Sequence, residues 1–102
     1  MSAINITKNN FKEEVLESSK SVLLDFWASW CGPCRRVLPL VEEIADEHPE
    51  FTVGKVNVDE QPELAAQFQV MSVPSLFVLK EGKVVNQATG ARPKQQILDL
   101  LK

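Results

Sequence analysis

The segment from Ser21 to Trp27 constrains the fold most strongly, because it is almost continuously apolar. It reads Ser-Val-Leu-Leu-Asp-Phe-Trp, and Asp25 is its one charged residue. A strand with so little polar alternation is typical of burial on both faces, as in the middle of a parallel sheet. Together with the strand and helix patterns described next, this segment predicts an α/β domain with a mixed sheet between helices.

Helices are predicted on both sides of this strand. Asn10 and Glu13 resemble a capping box at a helix start, and apolar residues follow at helical spacing. A longer amphipathic pattern predicts a helix from Cys34 to His48, which Pro39 should kink because proline removes one backbone hydrogen bond. Two more helices are predicted from Pro62 to Phe68 and from Pro93 onward.

Further strands are predicted from alternating or apolar runs bounded by turn residues. The turn Glu81-Gly82-Lys83 should join the last two strands as a hairpin. We interpret residues 1–102 as a single domain. The strands are predicted at Ala3 to Thr7, Phe51 to Val58, Ser75 to Leu79 and Val84 to Thr89.

Charge and hydropathy exclude several classes of function. The net charge is −3 and the only adjacent basic pair is Arg35-Arg36, so binding to nucleic acid or to an anionic membrane is not predicted. The segment from Met1 to Asn10 lacks the apolar core of a secretory signal. No apolar run approaches the roughly 20 residues of a membrane helix. These patterns predict a soluble, intracellular protein.

The chain contains two cysteines, Cys31 and Cys34, placed between the apolar strand and the long helix. A cysteine at a helix N-terminus is favoured as the thiolate by unpaired amide groups and by the helix dipole. Thiolate is the species that attacks disulfides. Cys34 follows one helical turn later, within disulfide range. Pro33 suits a first helical turn, and Gly32 should leave Cys31 open to a partner.

Three interpretations of the cysteine pair compete. A structural disulfide would close a loop of about four residues and contribute roughly 2 kcal/mol, and a reducing cytosol opposes it. A zinc site usually needs four ligands, whereas this chain offers one cysteine pair and one histidine, His48. A metal site shared between subunits stays open, and so does the structural disulfide, but the pattern favours a redox dithiol.

Other residues near the motif allow two interpretations each. Desolvation of Asp25 within its apolar strand would suit a general acid or base, but an aspartate at a strand end can instead reach solvent. Lys55 can be a solvated strand lysine. Pro74 precedes a strand, and sequence alone favours a trans bond since only about 5–6% of X–Pro bonds are cis. Trp30 can belong to the core or to a surface beside Cys31, whereas Trp27 is predicted in the core.

The run from Trp27 to Cys34, Trp-Ala-Ser-Trp-Cys-Gly-Pro-Cys, resembles the active site of the thioredoxin family. The resemblance covers essentially the whole chain. It implies a thioredoxin fold, with a central mixed five-stranded sheet flanked by four helices, and the activity of a protein disulfide reductase. Outside the run, it rests on Asp25, Phe26, Pro39, Lys55, Val73-Pro74, Gly82 and Gly90.

The resemblance also implies roles for individual residues. Cys31 attacks a partner disulfide and Cys34 resolves the mixed disulfide. Asp25 accepts the proton of Cys34, directly or through water, with Lys55 as its basic neighbour. The Val73–Pro74 bond is expected to be cis and to face the cysteines, which leaves the Val73 backbone free to pair with an extended substrate. An apolar docking surface is expected from Trp30, Gly32, Pro33, Val73, Pro74, Gly90 and Ala91.

The expected partners follow from the same resemblance. No dinucleotide fingerprint is present, so electrons should enter through a separate thioredoxin reductase, and no bound cofactor or metal is predicted. Substrates are expected to be disulfide-containing proteins, the location cytoplasmic and the chain monomeric. The uncharged Gly32-Pro33 pair favours a reductant over an oxidant or isomerase. Ser75 and Thr89 depart from the threonine and valine that are frequent in the family, which leaves partner preference open.

A second class of function is also considered. Some members of the family act as non-catalytic subunits or clamps in larger assemblies, through the same apolar surface. Such a role would need one stable partner rather than many transient ones.

Overall fold

A computed structural model describes residues 3–102. Met1 and Ser2, the first residues of the segment in which no secretory signal is predicted, lie outside the described residues. Five strands form one mixed sheet in the order β1-β3-β2-β4-β5. β1, β3 and β2 are mutually parallel, while β4 runs antiparallel to both β2 and β5. The strands are β1 Ile4–Asn5, β2 Val22–Trp27, β3 Thr52–Asn57, β4 Ser75–Lys80 and β5 Lys83–Thr89.

Helices flank this sheet, in agreement with the predicted α/β architecture. The longest begins at Gly32, two residues before the predicted start, and continues through Pro39, so the proline does not end it. Pro39 is exposed, which places its missing N–H on the solvent side of the helix. The helices within residues 3–102 are a π-helix Lys12–Leu16, α1 Gly32–Glu47, α2 Pro62–Gln67 and α3 Lys94–Leu100.

The central strand β2 separates two apolar layers. Leu24 and Phe26 pack in the layer that contains the π-helix and α2, and the Phe26 ring contacts Phe77 edge to face. Leu23 packs in the layer that contains α1 and α3. Because side chains alternate along a strand, Asp25 lies on the α1 side with Leu23. The strand is buried on both faces as predicted, and its one carboxylate faces the long helix.

The predicted capping box at Asn10 and Glu13 is wrong. The helical turn begins three residues earlier, where Thr7 Oγ1 accepts a hydrogen bond from the amide of Asn9 at 3.2 Å. Asn10 Oδ1 in turn accepts from the amide of Thr7 at 2.8 Å. Asn10 therefore lies three residues after Thr7 and closes a reciprocal cap that starts at Thr7. Glu13 is exposed.

The hairpin turn is one residue shorter than predicted. Lys80 pairs with Lys83, so only Glu81 and Gly82 lie in the turn. Their φ angles are 53° and 76°. Positive φ at both central residues is characteristic of a type I′ turn, whose twist matches that of the paired strands.

Candidate active site

The loop after β2 delivers Cys31 to the N-terminus of α1. Cys31 is the N-cap residue, with φ −93° and ψ 111°, and its Sγ accepts a hydrogen bond from the amide of Cys34 at 3.2 Å. The two cysteines form a disulfide, and their Cα atoms lie 5.3 Å apart. Pro33 lies in the first helical turn, where its missing N–H leaves no bond unmade. The predicted position of the pair at a helix N-terminus is confirmed.

Both cysteine residues have little solvent exposure in this disulfide form, and Cys34 has the less of the two. Cys31 is 5% exposed and Cys34 is fully buried. Cys31 is thus less accessible to a partner than the neighbouring Gly32 had suggested, although it is the more exposed of the two cysteines. Gly32 and Pro33 are exposed on the outer side of the pair.

A second loop closes over the cysteines from the start of β4. The Val73–Pro74 bond is cis, as the resemblance implied. Cys31 Sγ lies 3.7 Å from the carbonyl oxygen of Val73. Gly90, with φ 97°, donates its amide to the carbonyl of Pro74 at 2.8 Å. These contacts connect the sulfur, the loop before β4 and the end of β5.

Trp30 projects from the surface beside this loop. Its side chain is 67% exposed, and Nε1 donates a hydrogen bond to Asp59 Oδ2 at 2.9 Å, so the core interpretation of Trp30 is wrong. Met71, which is 95% exposed, lines an open pocket of about 110 Å³ together with Trp30 and Val73. Met71 and Asp59 were not predicted. Met71 lies two residues before Val73-Pro74, and this nearness in the sequence was a signal that could have identified it.

Asp25 is fully buried beneath α1, so the interpretation in which it reaches solvent is wrong. Neither carboxylate oxygen has a hydrogen-bond partner within residues 3–102. Burial raises the pKa of Asp25 from 3.8 to about 7, against the opposing effect of the Lys55 charge. A carboxyl group with a pKa near neutral can both accept and release a proton at physiological pH.

Lys55 lies opposite Asp25 in the register of β2 and β3. Its ammonium pairs with Glu42 of α1, with 2.9 Å between Nζ and Oε2, and both side chains are more than four-fifths buried. The solvated interpretation of Lys55 is therefore wrong. Glu42 was missed because it is one of several acidic residues on α1, and sequence does not show which one reaches the sheet.

The remaining candidate residues lie at the edge of this site or away from it. Ala91 is exposed next to Gly90, at the edge of the same surface. Trp27, which was predicted in the core, is only half-buried and packs from outside against the buried cluster that contains the two cysteines, and its Nε1 has no partner within the described residues. His48 ends α1, where its Nδ1 lies 3.0 Å from Glu50 Oε2. No group of three or more His, Cys, Asp or Glu side chains in residues 3–102 is arranged to hold a metal ion.

Comparison with known proteins identifies the arrangement. The thioredoxin family model matches residues 2–102. The chain belongs to the thioredoxin family. It is 48% identical to a thioredoxin of Chlorobaculum thiosulfatiphilum over 92 residues, which are 89% of this chain and 85% of that protein. It is also 48% identical to thioredoxin 1 of Synechococcus elongatus over 100 residues, covering 97% and 94% of the two chains. A thioredoxin of Mycobacterium tuberculosis shares 48% over 96 residues, covering 93% and 83%.

Family membership fixes the class of reaction. Thioredoxins are thiol–disulfide oxidoreductases, and the Cys31–Cys34 pair of this chain fits their active site. The chain is therefore a dithiol–disulfide redox protein, and the role of a non-catalytic subunit or clamp is not favoured. The described part of the chain contains no helix that is long and apolar enough to cross a membrane.

Proposed function

We propose that this thioredoxin reduces protein disulfides in two steps that use its cysteines unequally. The Cys31 thiolate attacks one sulfur of a partner disulfide, and the other partner sulfur leaves as a thiolate. Cys34 then loses its proton to Asp25 and attacks Cys31 Sγ, which releases the second partner thiolate. The partner gains two electrons, and the enzyme is left with the Cys31–Cys34 disulfide.

The position of Cys31 at the helix N-cap is the observation that carries this proposal. Its sulfur already accepts the Cys34 amide, and the same amide would stabilise a thiolate. Cys34 lies behind it with no exposed surface, which suits attack on Cys31 rather than on an outside disulfide. The two cysteines therefore suit different steps of one cycle.

The docking surface is proposed around the sulfur of Cys31. Trp30, Gly32, Pro33 and Ala91 are exposed, and Gly90 and Val73 are partly so, whereas Pro74 is buried beneath them. Val73 makes no backbone hydrogen bond to another segment of residues 3–102, which supports pairing with an extended substrate strand.

Lys55 acts through the charge that it presents to Asp25.

The proposed partners are disulfide-containing proteins and a thioredoxin reductase that restores the dithiol. The uncharged Gly32-Pro33 pair supports work as a reductant. A cytoplasmic location and a monomeric, single-domain chain fit this role. No cofactor is required in the chain itself, because both electrons reside on the two sulfurs.

Reduction of insulin by dithiothreitol tests the proposed function. The wild-type protein should accelerate precipitation of the insulin B chain, and Cys31→Ser should abolish the acceleration because no attacking sulfur remains. Asp99→Asn, a change at an exposed carboxylate of α3, serves as the control and should retain activity. Full activity of Cys31→Ser would contradict the mechanism.

A further inference from the structure

Glu42 holds the lysine that faces the buried aspartate. We propose that Glu42 is a positioning residue, which holds the Lys55 ammonium away from Asp25 and so sets the charge environment of the proton acceptor. The inference rests on the proposed role of Asp25 and extends it to a residue that touches neither sulfur. It follows from two contacts made by the Glu42 carboxylate, one to the Lys55 ammonium and one to the backbone amide of Ala3.

The direction in which Lys55 is held follows from the partners of Glu42. Glu42 Oε2 receives the Lys55 ammonium at 2.9 Å, and Oε1 receives the amide of Ala3 at 3.1 Å. Ala3 immediately precedes β1, which borders β3 on the side opposite β2. The carboxylate is therefore anchored toward the β1 edge, whereas Asp25 lies on β2.

The position of Lys55 explains why Asp25 has no partner. The backbones of Asp25 and Lys55 are adjacent in register, and both side chains lie on the α1 side of the sheet. A lysine in that position can reach an aspartate on the next strand. Both oxygens of Asp25 nevertheless lack a hydrogen bond, because the ammonium is engaged by Glu42.

The charges favour the same arrangement. Partial burial works to raise the pKa of Glu42, but the hydrogen bonds from Lys55 and the Ala3 amide outweigh it, so the pKa is lowered from 4.5. Glu42 is thus a carboxylate at neutral pH. Its negative charge offsets the positive charge that Lys55 would otherwise present to Asp25, and this helps to keep Asp25 protonated.

Among residues 3–102, β4 and α3 contribute apolar side chains to the layer that contains Asp25. From β4 its register neighbour is Leu76, and α3 contributes Ile97 and Leu101 to the same layer. Lys94 of α3 pairs instead with Glu43 and Glu47. Cys34 of α1 and the N-cap residue Cys31 form a disulfide and do not titrate in this state.

The test is a carboxyl carbon NMR titration of Asp25 in the oxidised protein. Glu42→Gln removes the negative charge and loosens the anchor, so Lys55 can approach Asp25. The Asp25 midpoint should fall by about half a pH unit or more. Glu43→Gln, which removes an exposed carboxylate one residue along α1, is the matched control and should leave the midpoint in place.

A second pair of variants separates positioning from a direct effect of the Glu42 charge. In a Lys55→Met background there is no ammonium to hold, so Glu42→Gln should move the Asp25 midpoint by less than half as much as it does with Lys55 present. An unchanged midpoint in Glu42→Gln, or the same displacement in both backgrounds, would overturn the inference. Because the titration needs no turnover, its result is independent of whether Asp25 serves as the base.

Discussion

Asp25 should make the stability of the folded protein fall as the pH rises. The rise in its pKa from 3.8 to about 7 corresponds to about 4 kcal/mol, at about 1.4 kcal/mol per pH unit. Between these two values the folded protein holds a proton that the unfolded chain has released. The contribution of Asp25 to the free energy of unfolding is therefore fully present below about pH 4 and is lost as the pH rises through about 7.

Replacing Asp25 with Asn removes this dependence, since an amide does not titrate. Urea unfolding of the wild type and of Asp25→Asn from pH 4 to pH 9 should show a stability difference that grows in favour of the variant, by about 4 kcal/mol in all, and levels off above pH 8. The constant cost of burying an amide shifts the whole curve without changing its slope. Asp99→Asn controls for general charge effects. A difference that does not vary with pH would refute the assignment of a buried carboxyl that titrates near neutrality.

Two further predictions address the chemistry and the packing. Asp25→Asn should slow the release of substrate thiol from the mixed disulfide at pH 7 and remove the rise in rate through that pH, as measured by single-turnover quenched flow; unchanged kinetics would exclude Asp25 as the base. Gly54→Ala should lose about 1–3 kcal/mol of unfolding free energy, because the added Cβ would lie 2.6 Å from Ile6 Cγ1 and 3.0 Å from Leu24 Cδ2. Gly32→Ala has open space at its Cβ and provides the packing control for urea unfolding, where an equal loss in both would exclude overpacking as the cause.

Local patterns predicted most of the fold. The apolar run of β2 predicted its burial on both faces. The amphipathic pattern from Cys34 to His48 predicted the long helix, whose buried side carries Val37, Val41 and Ile44. These patterns succeed because each reflects the period of one element and the layer that it covers. The helix start near Thr7 was missed because a short turn with two polar residues offers more than one capping register.

The site was predicted where its chemistry is local and missed where it is not. The cysteine pair lies at the start of the helix that positions it, and Asp25 lies within the apolar strand that buries it. Each can therefore be interpreted from a short stretch of sequence. Glu42 and Lys55 are 13 residues apart on different elements, so their ion pair depends on how α1 lies over the sheet. The cis bond before Pro74 was expected from resemblance, because residue type alone favours trans.

The asymmetry between Cys31 and Cys34 is tested most directly by trapping the mixed disulfide. Reduced Cys34→Ser and reduced Cys31→Ser would each be mixed with a disulfide-bonded peptide, and the adduct would be located by mass spectrometry over time. We predict rapid, stable attachment at Cys31 of Cys34→Ser and little attachment at the buried Cys34 of Cys31→Ser. Equal rates of attachment at the two cysteines would contradict the division of roles between them.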